Sequence, residues 1–505
     1  MNVKSYNGID LFDKYGLGGI SWKHIAKVTV SDKESPDAAG LITFTVDGNV
    51  IYANVSDAID LNPIKNVVLT FEMSDGMVVT ESYDLTADDN VYKVTDCSYD
   101  TRTYKIVTVI KKRNLPVFYI EINDGKEVSS KEEYLNATLT VDANGAYGDF
   151  PDLETMQMLI RGRGHFSWQF DKKSYKIRFE KKTSVLGMNA SKNWVLIANY
   201  VDRSLIQNYV AMEMGKVMTN IPYHSNQYPV DVYVNGTYRG VYTFGEQLEA
   251  KEERMGLEKE SADVDTDYLL ELGGTDDGDE KGKDYFHGSL CFYVAVKHPK
   301  PDVMTEEQFD YISDYVKKAD NAVKNLSGYE EYIDVDSLID WVIIHELTYN
   351  LDCSFRRSCF MIKEKGGKLK TGPIWDFDLA FGSHTRYQEG DFATIGEKNG
   401  YVGITWMNYL MKDEKFVARF KKRWNEIKER LLETTLTSID YMSSLVSPSA
   451  EMNFKVWDIL GKDVLSQPSS HKKYDTYEKM INRLKSFVND RYDWLDGELN
   501  MEDNK

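Results

Sequence analysis

Residues 341–382, WVIIHELTYNLDCSFRRSCFMIKEKGGKLKTGPIWDFDLAFG, constrain this chain more than any other stretch. A periodic apolar run, the mark of a helix, ends in Asn350-Leu351-Asp352. Two apolar runs around Gly366-Gly367 then read as a hairpin, and beyond them Asp376 and Asp378 stand among Trp375, Phe377 and Phe381. Carboxylates in an aromatic setting are costly to desolvate unless a cation, a hydrogen-bond donor or a reaction employs them. If the segment is extended, their even spacing points both side chains the same way. Such a pair suits divalent-metal binding, as in magnesium-dependent phosphoryl transfer, or two-carboxylate glycoside chemistry.

At 505 residues the chain is expected to hold more than one domain, because single cores stop growing at about 250–300 residues. Its 42% hydrophobic and 12% aromatic residues can fill large cores and exclude wholesale disorder. With 61 basic against 81 acidic residues the net charge is −20, which argues against nucleic acid or an anionic membrane as a general partner. Cys97, Cys291, Cys353 and Cys359 are too few to frame a disulfide-stapled domain, and no CxxC or HExxH occurs, so they are expected to be ordinary packed thiols. No apolar run approaches the ~20 residues of a membrane span. The first residues, MNVKSYNGID, do not read as a signal peptide. The chain is therefore expected to be either cytosolic or a secreted or cell-surface protein seen without its export signal. Its 33 tyrosines and few cysteines fit an exported bacterial protein.

Short runs rich in Val, Thr, Ile and Tyr fill residues 1–112: HIAKVTV, GLITFTV, NVIYANV, VVLTFEM, MVVTESYDL and YKIVTVI. Turn material such as Asp47-Gly48 and Asp75-Gly76 separates them, which predicts an all-β, immunoglobulin-like sandwich. No chemistry is visible there, and a spacer or attachment module is expected. Lys111-Lys112-Arg113-Asn114 marks the junction to a second domain over residues 113–505. Its first half reads as strands, with Asn235-Gly236 between alternating apolar runs predicting a type I′ hairpin. Helices follow. Thr305-Glu306-Glu307-Gln308 has capping-box form, Asp336 is expected to cap the helix carrying Trp341 and His345, and apolar stripes run from Phe416 to Leu431 and from Tyr477 to Leu495. Strands followed by helices predict a two-lobed α+β domain.

Arg161-Gly162-Arg163-Gly164 leads into Asp171-Lys172-Lys173-Ser174-Tyr175-Lys176-Ile177-Arg178, an unusually basic run for so acidic a chain. Alternation places Lys173, Tyr175 and Ile177 on one face and Lys172, Ser174, Lys176 and Arg178 on the other. One cationic face lining a cleft would meet phosphates; a solvated strand face is the plainer alternative. Glu246, after GVYTFG, is placed to partner a buried cation, or else begins a polar helix, EQLEAKEER.

The order RGxG…KKSYKIRF…NWVLIANYVDRSLIQN…VNGTYRGVYTFGEQ…ELTYNLD…GPIWDFDLAFG resembles the spore-coat CotH family of atypical protein kinases. The resemblance runs from about Leu115 to near Leu499 and leaves the first domain uncovered. It implies ATP- and Mg²⁺-dependent phosphorylation of Ser on secreted or coat proteins, with a protein substrate and a cell-surface or extracellular scaffold as partners. It further implies Arg163 and Lys173 on the nucleotide side, with Glu246 orienting Lys173, Asp352 as catalytic residue, and Asp376 with Asp378 as metal ligands. Asp202 and Asn208 fall in a DxSLxxN segment that looks structural or site-supporting. One position departs from the kinase pattern: Arg357 stands where an Asn five residues beyond the catalytic Asp would hold a second metal. A non-catalytic surface or scaffold-attached binding protein with the same fold, and a carbohydrate-active hydrolase built on the carboxylates, are the rival readings.

Overall fold

The structure is a computed structural model describing residues 24–31, 33–35, 42–56, 64–95, 101–111, 114–148, 150–257, 261–273, 280–290, 293–353, 355, 357–390, 392 and 405–500. Cys97 and Cys291 lie outside the described residues. The chain divides into two compact units, Met1–Arg113 and Asn114–Lys505.

The first unit contains β1 (Ile25–Val30), β2 (Ile42–Asp47), β3 (Val50–Ser56), β4 (Val67–Met73), β5 (Val78–Tyr83), β6 (Val91–Thr95) and β7 (Thr101–Lys111). These pair as a three-stranded sheet, β1-β4-β5, and a four-stranded sheet, β2-β3-β7-β6. Alternation sends Leu69 and Phe71 from one sheet and Ile51, Ala53 and Ile106 from the other into one shared core. Phe71 stacks on Tyr92, ring centroids 3.9 Å apart, and so ties the two sheets together. The sequence reading missed β6, whose five residues turn only Tyr92 and Val94 inward, too few for alternation to register.

The second unit begins with β8 (Val117–Ile122), β9 (Leu135–Asp142), β10 (Leu153–Arg163), β11 (Ser174–Thr183), β12 (Ser191–Ile197), β13 (Gln227–Val234) and β14 (Thr237–Glu246). They close into a barrel, β10-β11-β12-β14-β13-β8-β9, antiparallel throughout except for β8 beside β13. Closure was not legible in the strand patterns, which do not say whether the first and last strands meet. Ile160, Ile177, Phe179, Trp194, Leu196 and Phe244 fill the interior. Asn235 and Gly236 adopt φ of 49° and 72°, the left-handed pair that a type I′ turn requires. Helix α1 (Gln207–Val217) connects β12 to β13.

A second sheet follows, of β15 (Tyr268–Leu272), β16 (Tyr285–Phe286), β17 (Val294–His298), β18 (Cys359–Lys363) and β19 (Leu369–Thr371), in the order β16-β17-β15-β18-β19. It shares one core with α1, α2 (Glu306–Lys324), α3 (Val335–Thr348), α4 (Trp406–Leu410), α5 (Glu414–Val456) and α6 (Tyr477–Asn500). Thr305 and Gln308 form the expected capping box on α2. On α3 the cap is Asp334, which accepts from the Ser337 N–H; Asp336 lies inside the first turn and pairs with Arg419 at 2.7 Å. The apolar stripe begins at buried Val335, so the helix starts earlier than Leu338 suggested. Helix α5 runs for 43 residues, well past Leu431; buried Thr435, Ser438 and Asn453 interrupt its apolar stripe and hide the continuation in the sequence.

Asn453 fastens α5 to the barrel. Its Oδ1 accepts from the Lys172 Nζ at 2.9 Å and from the Val241 N–H at 3.0 Å. Lys172, 2% exposed, also donates to the Val241 carbonyl and lies over the Tyr242 ring. At the other end of α5, Arg423 donates from Nε to Asp340 of α3 at 2.6 Å.

Two outcomes follow. A chain beginning at Asn114 should stay soluble and melt cooperatively, because its core is complete without residues 1–113; loss of the cooperative transition in calorimetry would place the boundary elsewhere. His345, buried on α3 between Trp341 (3.8 Å) and Phe377 (5.0 Å), is driven by burial from its ordinary 6.5 to about 3. The unfolded chain therefore binds the extra proton below about pH 6.5, and stability should fall as pH drops from there toward 3. His345→Leu should flatten that acid limb in pH-dependent urea melts, and an unchanged slope would contradict the assignment.

Candidate active site

Helix α3 stops at Tyr349, whose φ of 49° turns the chain out of the helix. Asn350 then braces two segments. Its Oδ1 accepts from the Cys353 N–H at 3.2 Å, folding the turn that carries Asp352, and its Nδ2 donates to the Asp376 carbonyl at 3.0 Å. Asp352 is half-buried.

The segment bearing Asp376 and Asp378 is not the extended strand its spacing suggested. Asp376 has φ of 69°, a left-handed conformation that an L-residue adopts only when its surroundings impose it. Those surroundings are explicit: Asn350 holds its carbonyl, and the Phe377 N–H donates to Asn208 Oδ1 at 2.9 Å. Buried Phe377 anchors the turn. The bend brings the Asp376 and Asp378 carboxyls close enough to act on each other. Ser358 Oγ donates to Asp376 Oδ2 at 2.9 Å.

Burial pushes both carboxyls above the usual carboxylate range. Asp352 adds to this on Asp376, where Ser358 and Arg163 counteract it. Asp378 is held up further, by Asp376, Asp352 and Asp202. Three acidic groups crowded this way lack positive charge, and a divalent cation between Asp376 and Asp378 would relieve them. The donors are hard oxygens, which fit Mg²⁺. No group of three or more His, Cys, Asp or Glu among the described residues could grip a metal unaided. Two carboxylates suffice for an ion that keeps water and phosphate oxygens as its other ligands.

Opposite charge comes from the barrel. Arg161 pairs with Lys176 across β10 and β11, so Arg161, Arg163, Lys176 and Arg178 share the outer face while Tyr175, Ile177 and Phe179 fill the interior. Burial lowers the Arg163 guanidinium while Asp376 and Asp378 draw it back up. Lys176 is lowered by burial and by repulsion from Arg161, Arg163 and Arg178, with Glu249 acting against them, so that four cations gather on one face. The expected face assignment fails for the two lysines before the strand, because alternation begins only at Ser174. Lys172 is buried against α5, and Lys173 donates to the Trp168 carbonyl at 2.7 Å and lies over its ring.

Glu246 is 1% exposed and its cation is Arg254, at 2.8 Å; it does not orient Lys173. Tyr223 Oη and the Asn226 N–H donate to its other oxygen, at 2.8 and 2.9 Å. No helix begins at Glu246, which closes β14. Asp202 accepts from Ser204 and from the Gln207 N–H at the start of α1, and so sets the helix that carries Asn208. Arg357 is exposed, and Ser358 beside it is the residue that reaches Asp376.

Sequence reasoning missed Asn350, the part played by Ser358, and His384. The His384 Nε2 lies 3.9 Å from Asp352 Oδ1. The Arg386 backbone N–H donates to its Nδ1 at 3.0 Å, and the Arg386 guanidinium, a donor, lies 3.3 Å from its Nε2. Burial and Arg386 push His384 down to about 4. No local pattern marks it, since the turn after Gly382 that brings it back toward Asp352 depends on tertiary packing.

The sequence model of the family described as CotH kinase protein matches residues 160–495, about two thirds of the chain, from within β10 to within α6. Arg163, Asp352, Asp376 and Asp378 all fall inside the match. No curated protein matches the chain.

Proposed function

The chain belongs to the CotH kinase family, and we propose that it transfers the γ-phosphoryl group of ATP to Ser on a secreted or surface protein. The observation that carries this reading is the confrontation of Arg163, on the outer barrel face, with the Asp376–Asp378 pair beside Asp352. A cationic face and a cation-deficient acidic pair facing one another suit a nucleotide triphosphate carrying a metal. Mg²⁺ held by Asp376 and Asp378 would neutralise charge on the phosphates. Arg163 and Lys176 hold phosphate oxygens from the barrel side, by guanidinium fork and by point charge respectively. Asp352 accepts or orients the proton of the substrate hydroxyl, and the His384 ring lies beside that carboxylate. Asn350, Asn208 and Ser358 fix the acidic turn beforehand, so that the rate gain comes from positioning and charge. Glu246 and Arg254 support the barrel end. The first unit serves as an immunoglobulin-like attachment module, suited to a cell-surface or extracellular scaffold.

A specific observation favours a second reading. Arg357 occupies the position of the second metal-binding Asn and is exposed, which suits a member that binds without turnover. A carbohydrate-active hydrolase accounts for the carboxylates and leaves the cationic face without a role.

Calorimetric titration of the full chain with ATP and Mg²⁺ tests the reading, and absence of binding removes it. Lys176→Ala should weaken nucleotide binding by about 10-fold or more, the loss of one charge-assisted contact, whereas Lys173→Ala should change it little. Equal effects would show that Lys176 does not meet phosphate. Asp352→Asn should leave ATP–Mg²⁺ affinity nearly unchanged and lower radiolabelled phosphate transfer to a Ser-rich acceptor by about 10²–10⁴-fold. Asp376→Asn should abolish the magnesium dependence of nucleotide binding. A wild type that binds ATP and labels neither acceptor nor itself supports the reading without turnover.

A further inference from the structure

Cys353 and Cys359 are both buried, at 2% and 1% exposure, with their Sγ atoms 3.1 Å apart. The chain between them is already folded back: the Arg357 N–H donates to the Cys353 carbonyl at 3.1 Å. The Cys359 thiol also lies against the carbonyls of Arg357 and Cys353, at 3.2 and 3.7 Å. Among the described residues no His, Asp or Glu completes a metal-binding group with them. We propose that these cysteines are a modification site, oxidised to an intramolecular disulfide that fixes the turn between the end of α3 and the start of β18. Asp352 immediately precedes one cysteine and Ser358, which holds Asp376, immediately precedes the other. The bond therefore clasps the two segments that meet at the acidic turn, and it requires little rearrangement of either.

The oxidant is a small-molecule disulfide such as oxidised glutathione. One cysteine thiolate attacks a glutathione sulfur, forming a mixed disulfide and releasing one glutathione thiolate. The second cysteine then attacks the protein sulfur of that mixed disulfide, forming the Cys353–Cys359 bond and releasing the second glutathione. Both thiol protons end on the two glutathiones, and the two electrons reduce the glutathione disulfide. The inference stands apart from the kinase reading, since neither nucleotide nor acceptor enters it.

The test equilibrates the native full-length chain in glutathione buffers of increasing oxidation, blocks free thiols under denaturing conditions and maps a non-reducing tryptic digest by mass. Trypsin separates the two cysteines onto peptides 325–356 and 358–363. The expected product is these two peptides joined, lighter than their sum by two hydrogens and separated by dithiothreitol. Oxidised protein should melt higher than the same protein in dithiothreitol, by on the order of 5 °C, as for a short loop closed covalently. Cys353→Ser and Cys359→Ser should each abolish that difference. The wild-type peptide map decides the matter even where a serine variant fails to fold. Recovery of both peptides as separate blocked thiols in the most oxidising buffer overturns the proposal. So does glutathione retained on either cysteine, or either one joined to Cys97 or Cys291.

Discussion

Asp352, Asp376 and Asp378 crowd one half-buried turn; burial and the Asp352 charge hold the Asp376 and Asp378 carboxyls above the usual carboxylate range, and the Arg163 guanidinium opposes this at Asp376. Like charges so placed repel, and a chain holds them together only if its backbone is fixed by other means. Much of the local architecture supplies those means. Asn350 and Asn208 grip the carbonyl and the N–H of the single peptide group that follows a left-handed Asp376, and the Phe381 N–H donates to the Thr348 carbonyl at 2.5 Å, tying the end of the turn to α3. Four elements thus converge on one acidic turn: α1 through Asn208, α3 through Thr348, the turn after α3 through Asn350, and Ser358 before β18. The strain at Asp376 and the mutual repulsion of the carboxylates are sustained by neutral hydrogen bonds, which leaves the charge itself available to a ligand.

The same division between neutral and charged partners separates the site from its support. Glu246 and Arg254 form a buried pair whose oxygens are otherwise met by Tyr223 and Asn226. That network is internally satisfied on the carboxylate side and offers no free charge to a phosphate. The outer face of β10 and β11 is the reverse. Arg163 and Lys176 share a face with Arg161 and Arg178, and the negative charge that answers them comes from Asp376 and Asp378 at Arg163 and from Glu249 at Lys176.

Legibility in the sequence followed the range of the interaction. The Asn235-Gly236 hairpin, the α2 capping box and the alternating strands of both units depend on neighbours in sequence, and their patterns were readable. Closure of the barrel and the run of α5 beyond Leu431 depend on distant partners, such as Asn453 reaching Lys172 and Val241, and were not. The acidic residues stood out because Trp375, Phe377 and Phe381 surround them, yet their backbone geometry was misjudged, since an even spacing speaks only for an extended chain. Lys173 was assigned to the nucleotide side by the family resemblance, whereas alternation placed Lys176 with Arg178 on the cationic face and failed only for the lysines before Ser174, where the strand had not yet begun. Glu246 was recognised as a partner for a buried cation, whereas its actual cation, Arg254, lies on a loop whose path no local rule dictates. His384 carried no signal at all.

The long helix α5 has a consequence for the barrel as a module. Seven closed strands with a full apolar interior look like a portable scaffold, one that could be cut out and grafted elsewhere. Its outer surface is not built for that. Lys172 is sealed against Asn453, Ser449 Oγ donates to buried Asp231 at 2.6 Å, and the Trp457 Nε1–H just past the helix donates to the Arg239 carbonyl at 2.9 Å. Gly240 leaves no room for a side chain, because a Cβ there would stand 2.4 Å from Asn453 Oδ1. An excised barrel would present to water a seam shaped and charged for a helix no longer there, so any transplant has to carry residues 449–457 along with the strands.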